Sequence, residues 1–370
     1  MKRKLIFLIS FIIILTTSCS KKGGITESNP IDNGDEFSLT NPPGLNVKVD
    51  PRMELLSVVQ HFTTWANTEH TKYDIGYKHD IDNYFANFSN DPAVQKSQEL
   101  TNNGFDYDAP VALVLYFSNP PDFAQITPFS DYLISRVGSE SVLKDFADKL
   151  RAFANGTNFM KFYNDHQKFY NRIQNNIIET IGDTNYTKLL EDYYGEKKHS
   201  YNIVPAPLFN AGGYGPQVQT SKGFDIFNVM GPMSYSNGDL SFGNKEYMLY
   251  ILLHEFSHSF INPVTTQYLT QINNSAALYL PIKTQMQQQA YTNWETCVNE
   301  HLVRTVVARL SLQLRGETYK NMIINQEMNN GFIYIQKLDS LMVDYENNRN
   351  TYPTFESFYP QIINFFNSLL

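Results

Sequence analysis

Residues 247–260 read YMLYILLHEFSHSF, and this stretch decides how the rest of the chain is interpreted. Its apolar residues recur every three to four positions, which is the spacing of the buried face of a helix. Two histidines and a glutamate lie within it, His254, Glu255 and His258. Buried polar groups cost free energy unless they have partners. The stretch therefore predicts a core helix whose surroundings supply partners to these three residues.

The sequence on either side of this helix is mostly helical in pattern. Asp50-Pro51 is a typical helix start, and helical spacing continues from there to about residue 198, with 159–181 predicted as one long helix. Two β-rich segments, 201–209 and 224–230, predict a small sheet, and Pro205 and Pro207 place the first of them at an edge. After residue 243 the helical pattern resumes, with a loop-like interruption at 262–290. We expect an α+β fold that is predominantly α-helical.

The N-terminus is a targeting segment. Three cationic residues are followed by an apolar stretch, 5–15, and by small residues that end at Cys19. This pattern resembles a bacterial lipoprotein signal, which implies removal of residues 1–18 and a lipid anchor on Cys19. The protein would then belong to the bacterial cell envelope, facing the periplasm or the cell surface. An ordinary secretory signal with an incidental cysteine is the alternative.

The remaining chain divides by composition. Residues 19–44 are rich in Gly, Ser, Asn and Pro and are predicted to form a flexible tether. A mainly helical region, 45–198, precedes a metal-binding region, 199–370, and we expect the two to pack together as one continuous domain. The net charge of −8 argues against nucleic acid as a partner, because phosphate binding needs a basic surface. The sequence carries no signal for an oligomeric state.

The two histidines of the central helix predict a metal site. Because His254 and His258 are four residues apart, they lie on one face of a helix, one turn from each other, and can hold one metal ion together. Glu255 beside them can accept a proton from a water that the metal activates. Zinc is the metal that this pattern favours. A hydrogen-bonded polar trio without metal is the alternative.

A zinc site of this kind needs a third protein ligand. The near candidates are Glu295, Glu300 and His301, all on a helix predicted over 294–314. Glu300 is preferred because it shares an apolar stripe of this helix, and Arg304 one turn further on could orient its carboxylate. Glu295 is more typical of a charge at a helix start. His301 points away from Glu300 by about 100° on a helix, but it is retained as a candidate electrophile during catalysis.

With Glu300 included, the chain resembles the gluzincin branch of the zincin metallopeptidases, in which a second helix supplies a glutamate ligand, often in an Asn-Glu pair such as 299–300. The resemblance covers about 224–314. It implies a zincin-like catalytic core with His254, His258 and Glu300 as ligands and an inserted loop at 262–290. It also implies an edge strand before the active helix, for which 224–230 is the candidate. The HEFSHSF and Asn-Glu-His-Leu-Val-Arg segments are also similar to a poorly characterised family of bacterial lipoproteins of unknown function.

Three functions are compatible with these features. The first is a membrane-anchored zinc metallopeptidase, with Glu255 as general base and a peptide or protein as substrate. The second is a zinc hydrolase of a non-peptide substrate. The third is an inactive glycan- or peptide-binding lipoprotein. Cys297 is expected to be a buried apolar residue rather than a nucleophile, and weak candidates for stabilising an oxyanion are Tyr201, Tyr214 and Tyr235.

Overall fold

The computed structural model describes residues 39–370. The signal segment, Cys19 and the tether up to residue 38 therefore lie outside the described residues. The backbone N–H of Leu39 donates to Asn175 Oδ1 at 3.0 Å. The described chain is thus attached to the folded body from its first residue.

Helices make up most of the described chain. Those before the sheet are α1 (Pro51–His61), α2 (Ala66–Glu69), α3 (Gly76–Tyr84), α4 (Pro92–Asn102), α5 (Asp108–Val114), α6 (Asp131–Val137), α7 (Glu140–Gly156), α8 (Phe159–Asp165), α9 (Gln167–Ile181) and α10 (Tyr186–Tyr194). Those after it are α11 (Lys245–Gln267), α12 (Leu269–Asn273), α13 (Lys283–Gln288), α14 (Trp294–Arg315), α15 (Glu317–Asn329), α16 (Ile335–Asn347) and α17 (Phe355–Asn367). Short 3₁₀ turns occupy Ala86–Phe88 and Ala276–Ile282. The expectation of a mainly helical α+β fold is confirmed.

The strands are β1 (Leu45–Val47), β2 (Ser200–Pro205), β3 (Gly212–Tyr214), β4 (Gln217–Thr220), β5 (Gly223–Gly231), β6 (Ser234–Ser236) and β7 (Asp239–Ser241). In the main sheet β2 lies between β1 and β5, and it is parallel to both. Both β3 and β4 pair antiparallel with the other side of β5. The separate hairpin β6–β7 follows.

Both edge assignments made from the sequence are wrong. Segment 201–209 was expected at an edge because of Pro205 and Pro207, but β2 is interior, and Pro205 is its last residue. Segment 224–230 was expected to be the edge strand beside the active helix, but β5 is paired on both sides. The reason is the Gly-rich segment after residue 210, which forms β3 and β4 and takes the edge position.

Helix α1 begins as expected. The side chain of Asp50 accepts a hydrogen bond from the N–H of Arg52 at 2.8 Å, and Pro51 occupies the first turn. The single helix predicted over 159–181 is wrong, because the chain breaks into α8 and α9 at His166. There the imidazole bonds to the carbonyl of Phe162 at 2.8 Å and reaches Asp80 at 3.1 Å, and these contacts hold the residue outside the helical conformation.

The loop-like interruption predicted at 262–290 is wrong in large part. Helix α11 continues through Pro263 to Gln267, and α12, a 3₁₀ turn and α13 follow. The C-terminal turn of α11 is held by burial of Thr265, whose hydroxyl bonds to that of Tyr359 on α17 at 2.6 Å. Proline weakens a helix by removing one hydrogen bond, and tertiary contacts of this kind compensate for it.

One core joins the two halves of the described chain. Its buried apolar residues run from Leu45 to Phe366 and include residues from both halves. Helix α11 packs between the sheet and α14, and Asn228 of β5 donates to the carbonyl of Ile251 on α11 at 3.4 Å. Between residues 39 and 370 no helix is both long and apolar enough to cross a membrane.

Candidate metal centre

Helix α11 positions two imidazoles and a carboxylate. The helix is N-capped by Asn244, whose side chain accepts from the N–H of Tyr247 at 2.9 Å. One turn apart on its buried face, His254 and His258 bring their Nε2 atoms to 3.2 Å from each other. The other ring nitrogen of His258 lies 3.2 Å from Asn262 Oδ1, one further turn along. The helix therefore presents both Nε2 atoms to the same point.

Helix α14 supplies the third group. Its N-cap is Asn293, which accepts from the N–H of Thr296 at 2.8 Å. Glu300 Oε1 lies 3.5 Å from Nε2 of His258, and its Oε2 lies 3.7 Å from Nε2 of His254. One ligand atom from each of the three residues falls within 4.8 Å of the others. The three ligands expected from the sequence are thus brought together.

The donor atoms suit a divalent metal. Two nitrogens at 3.2 Å need a proton or a cation between them, since two lone pairs at that distance repel. Burial is the main cause that lowers the pKa of His254 well below its usual value. The charges of Arg304 and His258 act in the same direction. His254 is therefore neutral, as a metal ligand must be. Two imidazoles and one carboxylate form a donor set that accepts zinc.

A buried guanidinium lies behind Glu300. Arg304 Nη2 is 3.1 Å from Glu300 Oε2, as an ion pair that is not aligned as a hydrogen bond. Its Nη1 reaches Glu327 Oε2 at 3.0 Å and donates to the Tyr250 hydroxyl at 2.8 Å. Nη2 also donates to the Tyr291 hydroxyl at 3.1 Å. The contact between Arg304 and Glu300 was expected from the sequence, whereas the other three partners were not.

Glu255 lies beside the ligands under a glycine-rich strand. Burial is the main reason that the pKa of its carboxyl group is raised to about 7. His258 and Arg304 oppose the shift, and the nearby Glu300 adds to it. A Cβ atom at Gly213 would lie 3.0 Å from Glu255 Oε1, and one at Gly215 would lie 2.5 Å from the Glu255 carbonyl oxygen. The segment from β3 to β4 therefore approaches Glu255 as closely as it does because these two positions have no side chain.

The other two candidates on α14 lie apart from the ligands. Glu295 accepts from the Thr266 hydroxyl at 3.0 Å on the exposed surface. His301 is fully buried, bonds through Nδ1 to the carbonyl of Cys297 at 2.7 Å, and contacts the rings of Phe332 and Tyr334. Burial lowers its pKa to about 4. Because no part of the ring is accessible, His301 has no surface on which to contact a substrate in this structure.

Of the three tyrosines proposed from the sequence, one lies near the candidate ligands and two lie apart from them. Tyr201 donates to Glu191 at 3.3 Å, and Tyr235 is exposed on the β6–β7 hairpin, so neither belongs to this cluster. Tyr214, in β3, is close enough for Glu255 to raise the pKa of its hydroxyl, although burial is the larger cause. Tyr291 was missed from the sequence. Burial, Glu300 and Glu255 raise the pKa of its hydroxyl, while Arg304 lowers it. No local pattern marks Tyr291, which meets the site only through folding.

Cys297 is buried, as expected from the sequence. Burial, and to a lesser degree Glu300, raises the pKa of its thiol to about 12. The thiolate is the reactive form of cysteine. Cys297 therefore stays protonated at neutral pH and serves as a packing residue.

The fold and the site together define a class: a mainly helical α+β protein with two histidines and a glutamate gathered between two core helices. The model of a family described as a domain of unknown function (DUF4932) matches residues 45–365, and the chain belongs to that family. No curated protein and no solved structure matches the chain.

Proposed function

We propose that the protein is a zinc-dependent hydrolase with a zincin-like core, acting on peptide bonds. The observation that carries this proposal is the convergence of His254, His258 and Glu300 with Glu255 next to them. A zinc ion held by these three residues would supply Lewis acidity, which makes water nucleophilic and polarises a carbonyl group. With Cys19 as a lipid anchor, the enzyme would work at the bacterial cell envelope on peptides or proteins.

Glu255 acts as the general base in this proposal. Its carboxylate accepts a proton from the attacking water and then delivers it to the leaving amine. Burial favours this role, because a carboxylic acid whose pKa is about 7 can both accept and release a proton near neutral pH. Tyr291 keeps its hydroxyl proton at neutral pH, since its pKa is raised, and can donate a hydrogen bond. In this proposal Glu255, on α11, transfers the proton. Tyr291, in the segment before α14, donates a hydrogen bond.

Strand β3 offers a sheet edge to a substrate chain, whereas on β4 the carbonyl of Gln219 already accepts a hydrogen bond from the Thr127 hydroxyl at 2.8 Å. Strands β3 and β4 pair with β5 only, so their outer backbone groups face away from the main sheet. A peptide could add to this edge by main-chain hydrogen bonds, as extended ligands do at other sheet edges. The segment 212–220 takes the role that the sequence assigned to 224–230, and it contacts Glu255 directly.

The test is the variant Glu255→Gln in the full-length protein. We expect zinc to be retained at one ion per chain and peptide cleavage to fall by about 10²–10⁴-fold, the usual contribution of a general base. Metal content is measured by elemental analysis, and cleavage with a mixed peptide library read by mass spectrometry. The matched control is Glu246→Gln, an exposed carboxylate on the same helix paired with Arg315, which should change neither quantity.

The outcomes separate the alternatives. A wild-type protein that binds no zinc when zinc is supplied would end the enzyme proposal and leave a binding lipoprotein. Zinc binding without peptide cleavage would leave a hydrolase of another bond. Cleavage that survives Glu255→Gln would remove Glu255 as the base.

A further inference from the structure

The guanidinium of Arg304 is shared between two carboxylates from two helices. Nη2 faces Glu300 of α14 at 3.1 Å, and Nη1 faces Glu327 of α15 at 3.0 Å. The hydroxyl of Tyr250 links the second pair, because it accepts from Arg304 at 2.8 Å and donates to Glu327 Oε1 at 2.6 Å. Arg304 also lies over the ring of Phe332, at 4.2 Å from the centroid. The two terminal nitrogens of the guanidinium therefore contact different carboxylates.

The two oxygens of Glu300 face different groups. Oε1 faces Nε2 of His258 at 3.5 Å, on the ligand side. Oε2 faces the guanidinium at 3.1 Å and lies farther from His254, at 3.7 Å. Arg304 thus contacts the carboxylate at one oxygen and leaves the other oxygen directed towards the ligands.

A buried arginine and carboxylate usually form a two-pronged pair, with one N–H donated to each oxygen. Such a pair would take both oxygens of Glu300 and compete with a metal for them. Glu327 opposes this arrangement in two ways. It holds Nη1, which prevents a pair made by both terminal nitrogens, and Nε of Arg304 has no hydrogen-bond partner among the described residues. The negative charge of Glu327 also offsets the guanidinium charge, so that the charge of Glu300 stays available to a cation.

We propose that Glu327 is a positioning residue for the metal centre, which makes Arg304 hold only Oε2 of Glu300 and leaves Oε1 as the single ligating oxygen. This inference rests on the proposed metal site. It assigns a role in metal binding to a residue on α15 that contacts none of the ligands. It also explains why a fully buried glutamate is placed 27 positions after Glu300, at the end of a different helix.

The experiment measures zinc affinity by competition with a chromophoric chelator. Glu327→Gln keeps the size of the side chain but removes its charge, so Arg304 should turn fully to Glu300, and zinc should bind about 10–100-fold more weakly. The double variant Arg304→Gln/Glu327→Gln removes both charges and frees Glu300. We expect its zinc affinity to return to within a few-fold of the wild type.

A second readout is the absorption spectrum of the Co²⁺-substituted protein. In the double variant both oxygens of Glu300 are free to bind, so the coordination number should rise and the visible bands of cobalt should weaken. The spectrum therefore tests whether Arg304 withholds Oε2 from the metal. A purely structural role for Glu327 would make the double variant at least as impaired in zinc binding as the single one. Rescue by the second substitution is therefore the distinguishing result.

The chain offers a matched control on the same helix. Arg309 is also buried and also lies between two carboxylates, Asp339 and Glu346, but it contacts no ligand. We expect Glu346→Gln and Arg309→Gln/Glu346→Gln to change the melting temperature and to leave zinc affinity within about two-fold, since a charge this far from the ligands acts weakly.

Several results would overturn the proposal. Undiminished zinc affinity in folded Glu327→Gln would do so, as would a double variant that binds zinc no better than the single one. If Glu327→Gln does not fold, the double variant still tests the proposal. A cobalt spectrum of the double variant that is identical to that of the wild type would contradict it. A wild type without zinc removes the metal centre and this proposal together. Zinc binding without peptide hydrolysis removes only the proposed activity, because the affinities still test Glu327.

Discussion

At the scale of single residues, the site depends on two positions that carry no side chain. Gly213 and Gly215 let the segment from β3 to β4 lie against Glu255, at distances that no Cβ atom would allow without displacement. The backbone there is not in a left-handed conformation. The requirement for glycine is therefore one of space, imposed by the neighbouring helix, rather than one of backbone conformation.

Gly215→Ala tests this contact. The added methyl group would lie 2.5 Å from the carbonyl oxygen of Glu255, so the strand or the helix must shift. We expect the free energy of unfolding to fall by about 1–3 kcal/mol, the usual cost of overpacking, as measured by urea denaturation. Gly156→Ala is the matched control, because a Cβ atom at this helical position meets no atom within 4 Å. It should be neutral or stabilising by up to about 1 kcal/mol. Equal stability of Gly215→Ala and the wild type would contradict the packing.

The residues of the centre differ in how far the sequence could predict them. His254, Glu255 and His258 follow from a spacing within one helix, which is local information. Glu300 could be proposed because its helix was recognisable and the candidates nearby were few. Glu327 and Tyr291 could not be proposed, since they reach the centre only through the packing of elements that the sequence does not place.

At the scale of elements, two long helices fix the geometry of the centre. Helix α11 carries two of the candidate ligands and α14 carries the third, and both helices are N-capped by an asparagine side chain. Such a cap satisfies a backbone N–H that has no partner within the helix. The two caps therefore stabilise the helices that bring the ligands together without contacting the ligands.

Removing either cap should lower stability and spare the site. We expect Asn244→Ala and Asn293→Ala each to reduce the free energy of unfolding by about 1 kcal/mol, as cap deletions usually do, and to leave zinc affinity nearly unchanged. Aspartate at the same positions keeps the acceptor oxygen and should retain wild-type stability. A large loss of zinc affinity in either alanine variant would show that the helix starts are coupled to the ligands.

The elements that the sequence missed share a physical cause. Strand β3 is short and rich in glycine, so its composition indicates a turn, and β4 has only four residues. Only pairing with β5 makes these two segments strands. The segment after residue 262 contains two prolines and no clear periodicity. Helix α12 is held by contacts with α14 and α17, and the 3₁₀ turn that follows it packs on α14 and α13. Long amphipathic helices could be predicted because their pattern is local, whereas pairing and packing depend on residues far apart in the chain.

At the scale of the whole molecule, the N-terminal helices and the two helices of the candidate metal centre share one core. That core contains a buried carboxylate far from the centre in sequence. Glu54 of α1 is fully buried and accepts a hydrogen bond from the hydroxyl of Tyr77, which also bonds to that of Tyr170 at 2.8 Å. Burial raises the pKa of Glu54 to about 8, although the hydrogen bond from Tyr77 opposes the shift.

This shift makes stability depend on pH. Between a pKa of 4.5 in the unfolded chain and about 8 in the folded protein, only the folded protein holds the proton of Glu54. Stability rises with pH only where the unfolded state binds more protons, so here it should fall as pH rises from about 5 to 8, by up to about 1.4 kcal/mol per pH unit. Urea denaturation at a series of pH values measures this slope. Glu54→Gln should flatten it, and parallel curves for the two proteins would contradict the assignment.

Strand β1 has a consequence for how this chain behaves when it is shortened. It pairs with the outer side of β2, and only three residues, Leu45–Val47, form it. Proteolysis or truncation that removes those residues would leave a row of unpaired backbone groups along an apolar strand. An exposed edge of this kind readily recruits a strand from a neighbouring molecule. Strand β1 thus protects the sheet against self-association, and it does so on the N-terminal side of the domain, where the proposed lipid anchor would be attached.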